Sequence, residues 1–301
     1  MKLSICIPIY DEDVNELVND LIHQIRVCGW EADIILIDDA SDPYFIEINK
    51  NLEGKVNQFI YLKKNIGRSK IRNLFLNYSH AEYLLFLDCD GKIISDNFLV
   101  NYLDFIEKHQ PDVIYGGRKA SPESPGQAYG LRWKFATERE NMPVAKRLKE
   151  PYLDFQTNNF VVRKSILEKI PFNEAMTDYG YEDLVFSQDL KRHHIKIDHI
   201  DNPIFNNGLE TNVVFLGKAD QSAKSLARLI GRDKNFESVS QIKLAKAYLL
   251  MKRTGAAFVY QMIYRLLKPY LQKRLLNGDA SLRVLDLYKL GQLIGYMNKR
   301  K

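Results

Sequence analysis

Cysteine is scarce in this 301-residue chain, and Cys6, Cys28 and Cys89 are its only three. Their spacing matches neither bridge pairs nor a metal-ligand pattern, which fits a reducing, cytoplasmic compartment better than a disulfide framework. Long hydrophobic runs are missing as well. No apolar stretch reaches the length of about twenty residues that a membrane-spanning helix needs. The N-terminus has one lysine and then a short apolar run broken by Pro8 and followed by Asp11, Glu12 and Asp13, which is not the anatomy of a signal peptide. No G-x-G-x-x-G follows the first apolar segment, and this removes the dinucleotide-binding oxidoreductases. Acidic residues nearly vanish towards the end: from Ser240 onward thirteen Lys and Arg face only Asp279 and Asp286, a net +11, whereas the body before it carries a net −6. Such asymmetry points to an anionic partner for the tail, membrane lipid or nucleic acid.

What is present centres on Tyr83 to Gly91, Y-L-L-F-L-D-C-D-G. A five-residue apolar run closed by turn residues reads as a buried parallel strand, and ligands of open α/β sheets gather at the carboxyl ends of such strands. Asp88 and Asp90 then stand at the mouth of a site. Alternation along an extended chain points both the same way, with Cys89 turned aside, so that they can share one divalent cation. A plain strand-to-turn exit explains the same residues.

Around this strand the pattern alternates. Leu3 to Ile9 is a strand, Val14, Leu17, Val18, Leu21, Ile22 and Ile25 mark a helix, Ala32 to Ile37 is a strand ending in Asp38-Asp39-Ala40-Ser41-Asp42, and Phe59 to Leu62 is another. A helix with Ile71, Leu74, Phe75 and Tyr78 inward carries Arg68, Lys70 and Arg72 near its start. This βαβαβ order predicts a mostly parallel sheet with helices on both faces. Further on, a helix from near Asp96 buries Leu99, Leu103 and Ile106, and Asp112 to Tyr115, Thr157 to Val162 and Ile195 to Ile200 read as strands. Ala120 to Gly130 is a long loop, and Ser165-Ile166-Leu167-Glu168 has the spacing of a capping box. A second acidic cluster, Asp178-Tyr179-Gly180-Tyr181-Glu182-Asp183, precedes a helix containing Phe186 and Leu190. Its acids suit a helix N-terminus whatever their function, and an acid among aromatics also suits a general base.

Five segments together, S-I-C-I-P-I-Y (Ser4 to Tyr10), D-D-A-S-D (Asp38 to Asp42), N-I-G-R-S-K-I-R-N (Asn65 to Asn73), D-C-D (Asp88 to Asp90) and G-Y-E-D (Gly180 to Asp183), occur in the order and spacing of family 2 glycosyltransferases, which this chain resembles over about its first 210 residues. The resemblance implies a GT-A fold, a nucleotide-sugar donor, most simply a UDP-sugar, and inversion at the anomeric carbon. It places the donor among Pro8, Tyr10, Asp39, Asn65, Gly67, Arg72, Asp88 and Asp90, with Asp39 at the base edge, and a divalent metal, Mn or Mg, on Asp90 and Asp88. Asp183 takes the role of general base, and Glu182 orients the acceptor. Many relatives carry histidine where this chain has Asn206 or Asn207; an amide oxygen of Asn206 can serve a hard cation more weakly, and His199 on the preceding strand reads as structural. Ala40 stands where glycine is common.

Residues 1–210 are thus expected to form the catalytic domain and 211–301 a basic helical segment, with Ala223, Leu226, Ala227 and Ile230 on one amphipathic helix and Leu290, Leu293, Ile294 and Met297 on another. Between them Ala256 to Leu267 is apolar and aromatic, flanked by Lys252, Arg253, Lys268 and Lys273. This segment packs as a bundle on the catalytic domain or on a second subunit, or touches the inner face of the cell membrane, where a glycan or lipid-linked acceptor would be met; nucleic acid is not expected. Two other functions are weighed. F-L-D-C-D-G superficially resembles the nucleophile motif of haloacid-dehalogenase-like phosphatases, although Lys92 stands where threonine is wanted and three strands precede it. A non-catalytic protein binding anions through its basic tail is the other.

Overall fold

The computed structural model describes residues 3–176, 179–206, 208–232, 239, 241–277 and 281–299, and the chain divides into two compact units that interleave in sequence. The first holds the described residues of 1–120, 141–177 and 182–208, and the second those of 121–140, 178–181 and 209–301.

The first unit opens with β1 (Leu3–Ile9), α1 (Asn15–Cys28), β2 (Ala32–Asp38), α2 (Pro43–Asn49), β3 (Gln58–Tyr61), α3 (Arg68–Leu74) and β4 (Tyr83–Leu87). β4 is buried along its whole length and β1 nearly so, as strands covered on both faces must be. Helix α1 buries Leu17, Val18 and Leu21 and stops at Gly29, whose left-handed backbone returns its N–H to the Ile25 carbonyl. Pro8 lies inside β1, beyond Cys6, the last residue paired with β4, where the strand has a neighbour on one side only. Helix α2 was not expected. Its signal is short: Asp42 caps it by accepting from Tyr44 N, and Pro43 occupies the first turn.

The chain continues through β5 (Gly91–Lys92), α4 (Phe98–His109), β6 (Val113–Tyr115) and β7 (Arg118–Lys119), then α5 (Gly130–Phe135) of the second unit, then α6 (Val144–Arg147), β8 (Asn159–Arg163), α7 (Lys164–Lys169), α8 (Glu182–Arg192), β9 (Ile197–His199) and β10 (Ile204–Asn206). The main sheet has the order β3-β2-β1-β4-β8-β6-β9. Every neighbouring pair is parallel except those made by β8, which runs antiparallel to both β4 and β6. That reversal brings the start of β8 to the carboxyl end of β4, with Asn159 opposite Leu87. A second sheet, β5-β10-β7, pairs Asn206 with Gly91. The expected capping box does not form: α7 begins at Lys164 directly after β8, so Ser165 lies inside the helix and no side chain caps it. One core packs α1 and α4 against one face of the sheet, and a second, rich in phenylalanine, lies on the other.

In the second unit α5 is joined by α9 (Asn212–Arg232), α10 (Lys243–Arg253), α11 (Ala256–Leu276) and α12 (Leu282–Asn298). The stripes read from sequence face inward: Ala223, Leu226, Ala227, Ile230, Leu290, Leu293 and Ile294 share one core, with Met297 packed against it. Gly291 permits α11 and α12 to approach, since a Cβ there would lie 2.2 Å from the Tyr264 ring. The loop expected at 120–130 is tied into this unit, where Gln127 Nε2 donates to Asn277 O at 2.7 Å and Arg132 bridges Glu140 and Glu210 at 2.9 and 3.0 Å. Among the described residues no helix is long and apolar enough to cross a membrane.

Candidate active site

Three parallel strands deliver polar groups to one end of the sheet in the first unit. At the end of β2, Asp39 is nearly buried, and its two carboxylate oxygens accept from Ile66 N at 2.7 Å and Gly67 N at 3.0 Å. Burial pushes its proton affinity up while these two N–H groups pull it down. Asp39 therefore shapes the 65–67 loop, and Gly67, at φ +83°, turns that loop into α3. Ala40 adopts φ +62°, a left-handed conformation that glycine enters without strain, which accounts for glycine being common there. The neighbouring turn after β1 is laced to this one, because Asp11 N donates to Ser41 Oγ and Asp42 N to Asp11 Oδ1, at 2.9 and 2.7 Å. Tyr10 and Asn65 are exposed and Pro8 is half-buried.

The D-C-D segment differs from expectation in its backbone. Strand β4 ends at Leu87, and Asp88 to Asp90 form a turn in which Gly91 N donates to Asp88 O at 3.1 Å. Extended alternation does not apply there, and the two acids have different surroundings. Asp88 Oδ1 accepts from Arg72 Nη2 at 2.9 Å, whereas Asp90 borders Gly208 and adds to the effect of burial in raising the proton affinity of Glu12. Cys89 packs against the core, turned aside as expected. Arg72 is not on an outer face: its side chain is 4% exposed and its guanidinium lies 5.6 Å from the Phe172 ring centroid.

The general-base candidate sits at the first turn of α8. Asp183 accepts from Thr157 Oγ1 at 3.1 Å and Thr157 N at 3.4 Å, so the start of the antiparallel strand's approach grips the acid. Its proton affinity is pushed up to about 6, first by burial and then by the Glu182 carboxylate, against the pull of Arg72 and Arg68. Glu182 is buried and pairs with Arg68 Nη1 at 3.1 Å. Asp183, Glu182 and Asp88 are thus interleaved with Arg68 and Arg72 in one cluster. Thr157 was missed from sequence, where it read only as the first residue of a strand, whereas β8 begins at Asn159.

For a metal, the fit rests on the donor set. Asp88 and Asp90 offer hard carboxylate oxygens on one turn, which suits Mn or Mg when a diphosphate supplies the remaining oxygens. Among the described residues no group of three His, Cys, Asp or Glu forms an all-protein cage. The backbone places Asn206 opposite Gly91, next to Asp90 in sequence, while the side chain of Asn206, and all of Asn207 and Asp178, lie outside the described residues. His199 has a structural role. Its Nε2 lies 3.0 Å from the Pro151 carbonyl and its Nδ1 3.3 Å from Arg147 Nη1, and burial lowers its proton affinity to about 4.

A mostly parallel sheet with one reversed strand, acids at the ends of β2 and β4 and a helical C-terminal region is the GT-A arrangement of nucleotide-sugar transferases. The chain belongs to glycosyl transferase family 2, whose family model matches residues 4–171, more than half of its length. Among curated relatives, it is 30% identical over 118 residues to the poly(ribitol-phosphate) beta-N-acetylglucosaminyltransferase TarS of Staphylococcus aureus, covering 38% of this chain and 20% of TarS. It is 25% identical over 207 residues to the corresponding TarP enzyme, covering 66% of this chain and 61% of TarP. The chain thus spans less than two thirds of either relative. Solved structures share the fold. TarS 1–349 in complex with UDP aligns at TM-score 0.52 and 20% identity over 97% of this chain and 90% of that one. The mannosyltransferase PcManGT of Pyrobaculum calidifontis, in complex with GDP-Man and Mn2+, aligns at 0.56 and 13% over 98% and 84%. The D-C-D acids follow the fourth strand, not the first, which removes the positional basis of the phosphatase reading.

Proposed function

We propose that this protein transfers a sugar from a nucleotide-sugar, a UDP-sugar in the simplest case, to a glycan or lipid-linked glycan in the cytoplasm, with inversion. The observation that carries the reading is the Asp183 carboxyl, held by Thr157 in the same charged cluster as Asp88 and Arg72. UDP in the TarS complex supports the donor class.

Asp183 accepts the proton of the acceptor hydroxyl while that oxygen forms its bond to the anomeric carbon. The bond from that carbon to the diphosphate oxygen breaks on the opposite face, so the configuration inverts. Arg72 holds Asp88 at the diphosphate end, and Arg68 keeps Glu182 beside the base, where it orients the acceptor. The 65–67 loop, fixed by Asp39, lines the nucleotide end with Pro8, Tyr10 and Asn65. Asp88 and Asp90 would hold a divalent cation, Mn or Mg, which would supply Lewis-acid neutralisation of the leaving group's charge when bound.

Calorimetric titration with UDP, GDP and their sugar conjugates, each with Mn and with EDTA, tests the reading without knowledge of the acceptor. Metal-dependent binding of one nucleotide, lost in Asp90→Ala and kept in Asp183→Asn, is the expected result. Failure of every nucleotide to bind the folded protein overturns it.

A further inference from the structure

Helix α11 leaves an apolar face uncovered. Its inward side is made by Gln261, Tyr264, Leu271 and Leu275, all buried. The opposite side presents Phe258, Val259, Met262, Ile263, Leu266 and Tyr270 to solvent, with Leu266 83% and Phe258 72% exposed. These positions recur at three- and four-residue spacing, so they form one continuous stripe about three turns long rather than scattered apolar residues. Single exposed apolar side chains need no explanation, but a contiguous patch of this kind marks a surface that is covered in use.

The charge around the stripe selects its partner. Between Glu237 and Asp279 the chain has no acidic residue, yet α10 and α11 contribute Lys243, Lys246, Lys252, Arg253, Arg265, Lys268, Lys273 and Arg274. Lys252 and Arg253 are exposed at the end of α10, just before α11 begins, and Arg265 and Lys273 are exposed on α11 itself. Arg274 lies 5.9 Å from the Tyr270 ring centroid, so an aromatic and a cation meet at the far end of the stripe. A second copy docked through this face would set these cations against the same set, with no acid in the segment to pair them. An anionic bilayer meets both properties, because its headgroups take the cations and its acyl boundary takes the apolar side chains.

We infer that the exposed face of α11 is a membrane-docking surface that lies in the interface of an anionic bilayer, with Phe258, Met262 and Leu266 inserted and Lys252, Arg253, Arg265 and Lys273 on the headgroups. It is a surface contact. The inference stands apart from the transferase chemistry, since none of these residues belongs to the catalytic cluster.

Flotation of the full chain with vesicles of phosphatidylcholine alone, or mixed with phosphatidylglycerol, tests it, alongside sedimentation velocity without lipid. The expected result is binding to the mixed vesicles only, weakened by added salt, reduced at least tenfold in Phe258→Asp/Leu266→Asp and several-fold in Arg265→Glu/Lys273→Glu. Unchanged nucleotide binding by both variants in the same preparations shows that they fold, so loss of docking is read separately from loss of donor binding; if no nucleotide binds any form, an unchanged thermal transition serves that purpose. Absence of binding to the mixed vesicles overturns the inference, as does equal binding by Phe258→Asp/Leu266→Asp. A wild-type dimer that this variant converts to monomer, without lipid binding by either, assigns the face to a second copy instead.

Discussion

Arg72 Nη2 lies 2.9 Å from Asp88 Oδ1, and the arginine is buried while the aspartate is half-open to solvent. One acid of the D-C-D turn is therefore held by the protein itself, through a cation that the sequence places sixteen residues earlier on a different element.

Arg72→Ala is expected to leave Asp88 without this partner and to open a gap beside Phe172. Because the aspartate is partly exposed, the loss is set at about 1–3 kcal/mol, below that of a fully buried pair. Urea unfolding should show the loss, and donor affinity should fall with it. Unchanged stability would sink the pairing as a structural feature.

The raised proton affinity of Asp183 sets the pH response. Its carboxyl binds a proton up to about pH 6 in the folded protein but only to about 4 when unfolded. Transfer should therefore rise with pH along an acid limb near 6. The stability contribution has the opposite sense: it is present below about pH 4 and is lost as pH rises through 6. Thermal melts of the native protein should show this decline between pH 4 and 6, and Asp183→Asn, which cannot ionise, should lack it.

Thr157 acts on the reaction through Asp183 and is a positioning residue. Thr157→Val removes one hydrogen bond to the carboxylate, so the acid limb should move to higher pH and kcat should fall about tenfold with KM for the donor little changed. Thr157→Ser should restore both. A variant whose rate drops with no movement of the pH profile would argue for a packing role alone.

Asp39→Asn replaces one of two accepting oxygens with a donor that cannot serve both Ile66 N and Gly67 N. The expected cost is about 1–2 kcal/mol together with weaker nucleotide binding. Calorimetry on the variant and its parent separates a loosened loop from an intact one.

Ala40→Gly runs the other way. The left-handed backbone at this position disfavours any Cβ by roughly 1 kcal/mol, so the glycine variant should unfold a few degrees higher or lose only what its greater freedom in the unfolded chain costs. A marked drop in Tm would show that the alanine methyl is packed rather than strained.

The readings that succeeded from sequence were periodic or local. The Leu/Ile/Phe runs of β1, β2 and β4 were legible because strands covered on both faces must be apolar throughout, and α1, α9 and α12 because their stripes repeat with the helical turn. The extended backbone expected at D-C-D did not hold, because a two-residue period applies only while the strand continues, and it ends at Leu87. The capping box at Ser165 failed because β8 runs directly into α7, which leaves the N-cap position to Arg163, whose side chain makes no capping bond.

By itself the sequence determined which chemistry was available: carboxylates at strand ends, arginines on α3, an acid pair opening α8 and a tail almost without acid. Composition and spacing specify these, since they depend on the order of residues along the chain. Tertiary structure alone decided the partners. Arg72 meets Asp88, Arg68 meets Glu182 across more than a hundred residues, and Thr157 reaches Asp183 because β8 runs backwards between β4 and β6. Such contacts follow from packing, which brings together groups that no local pattern relates, and packing also set which face of α11 was left to solvent.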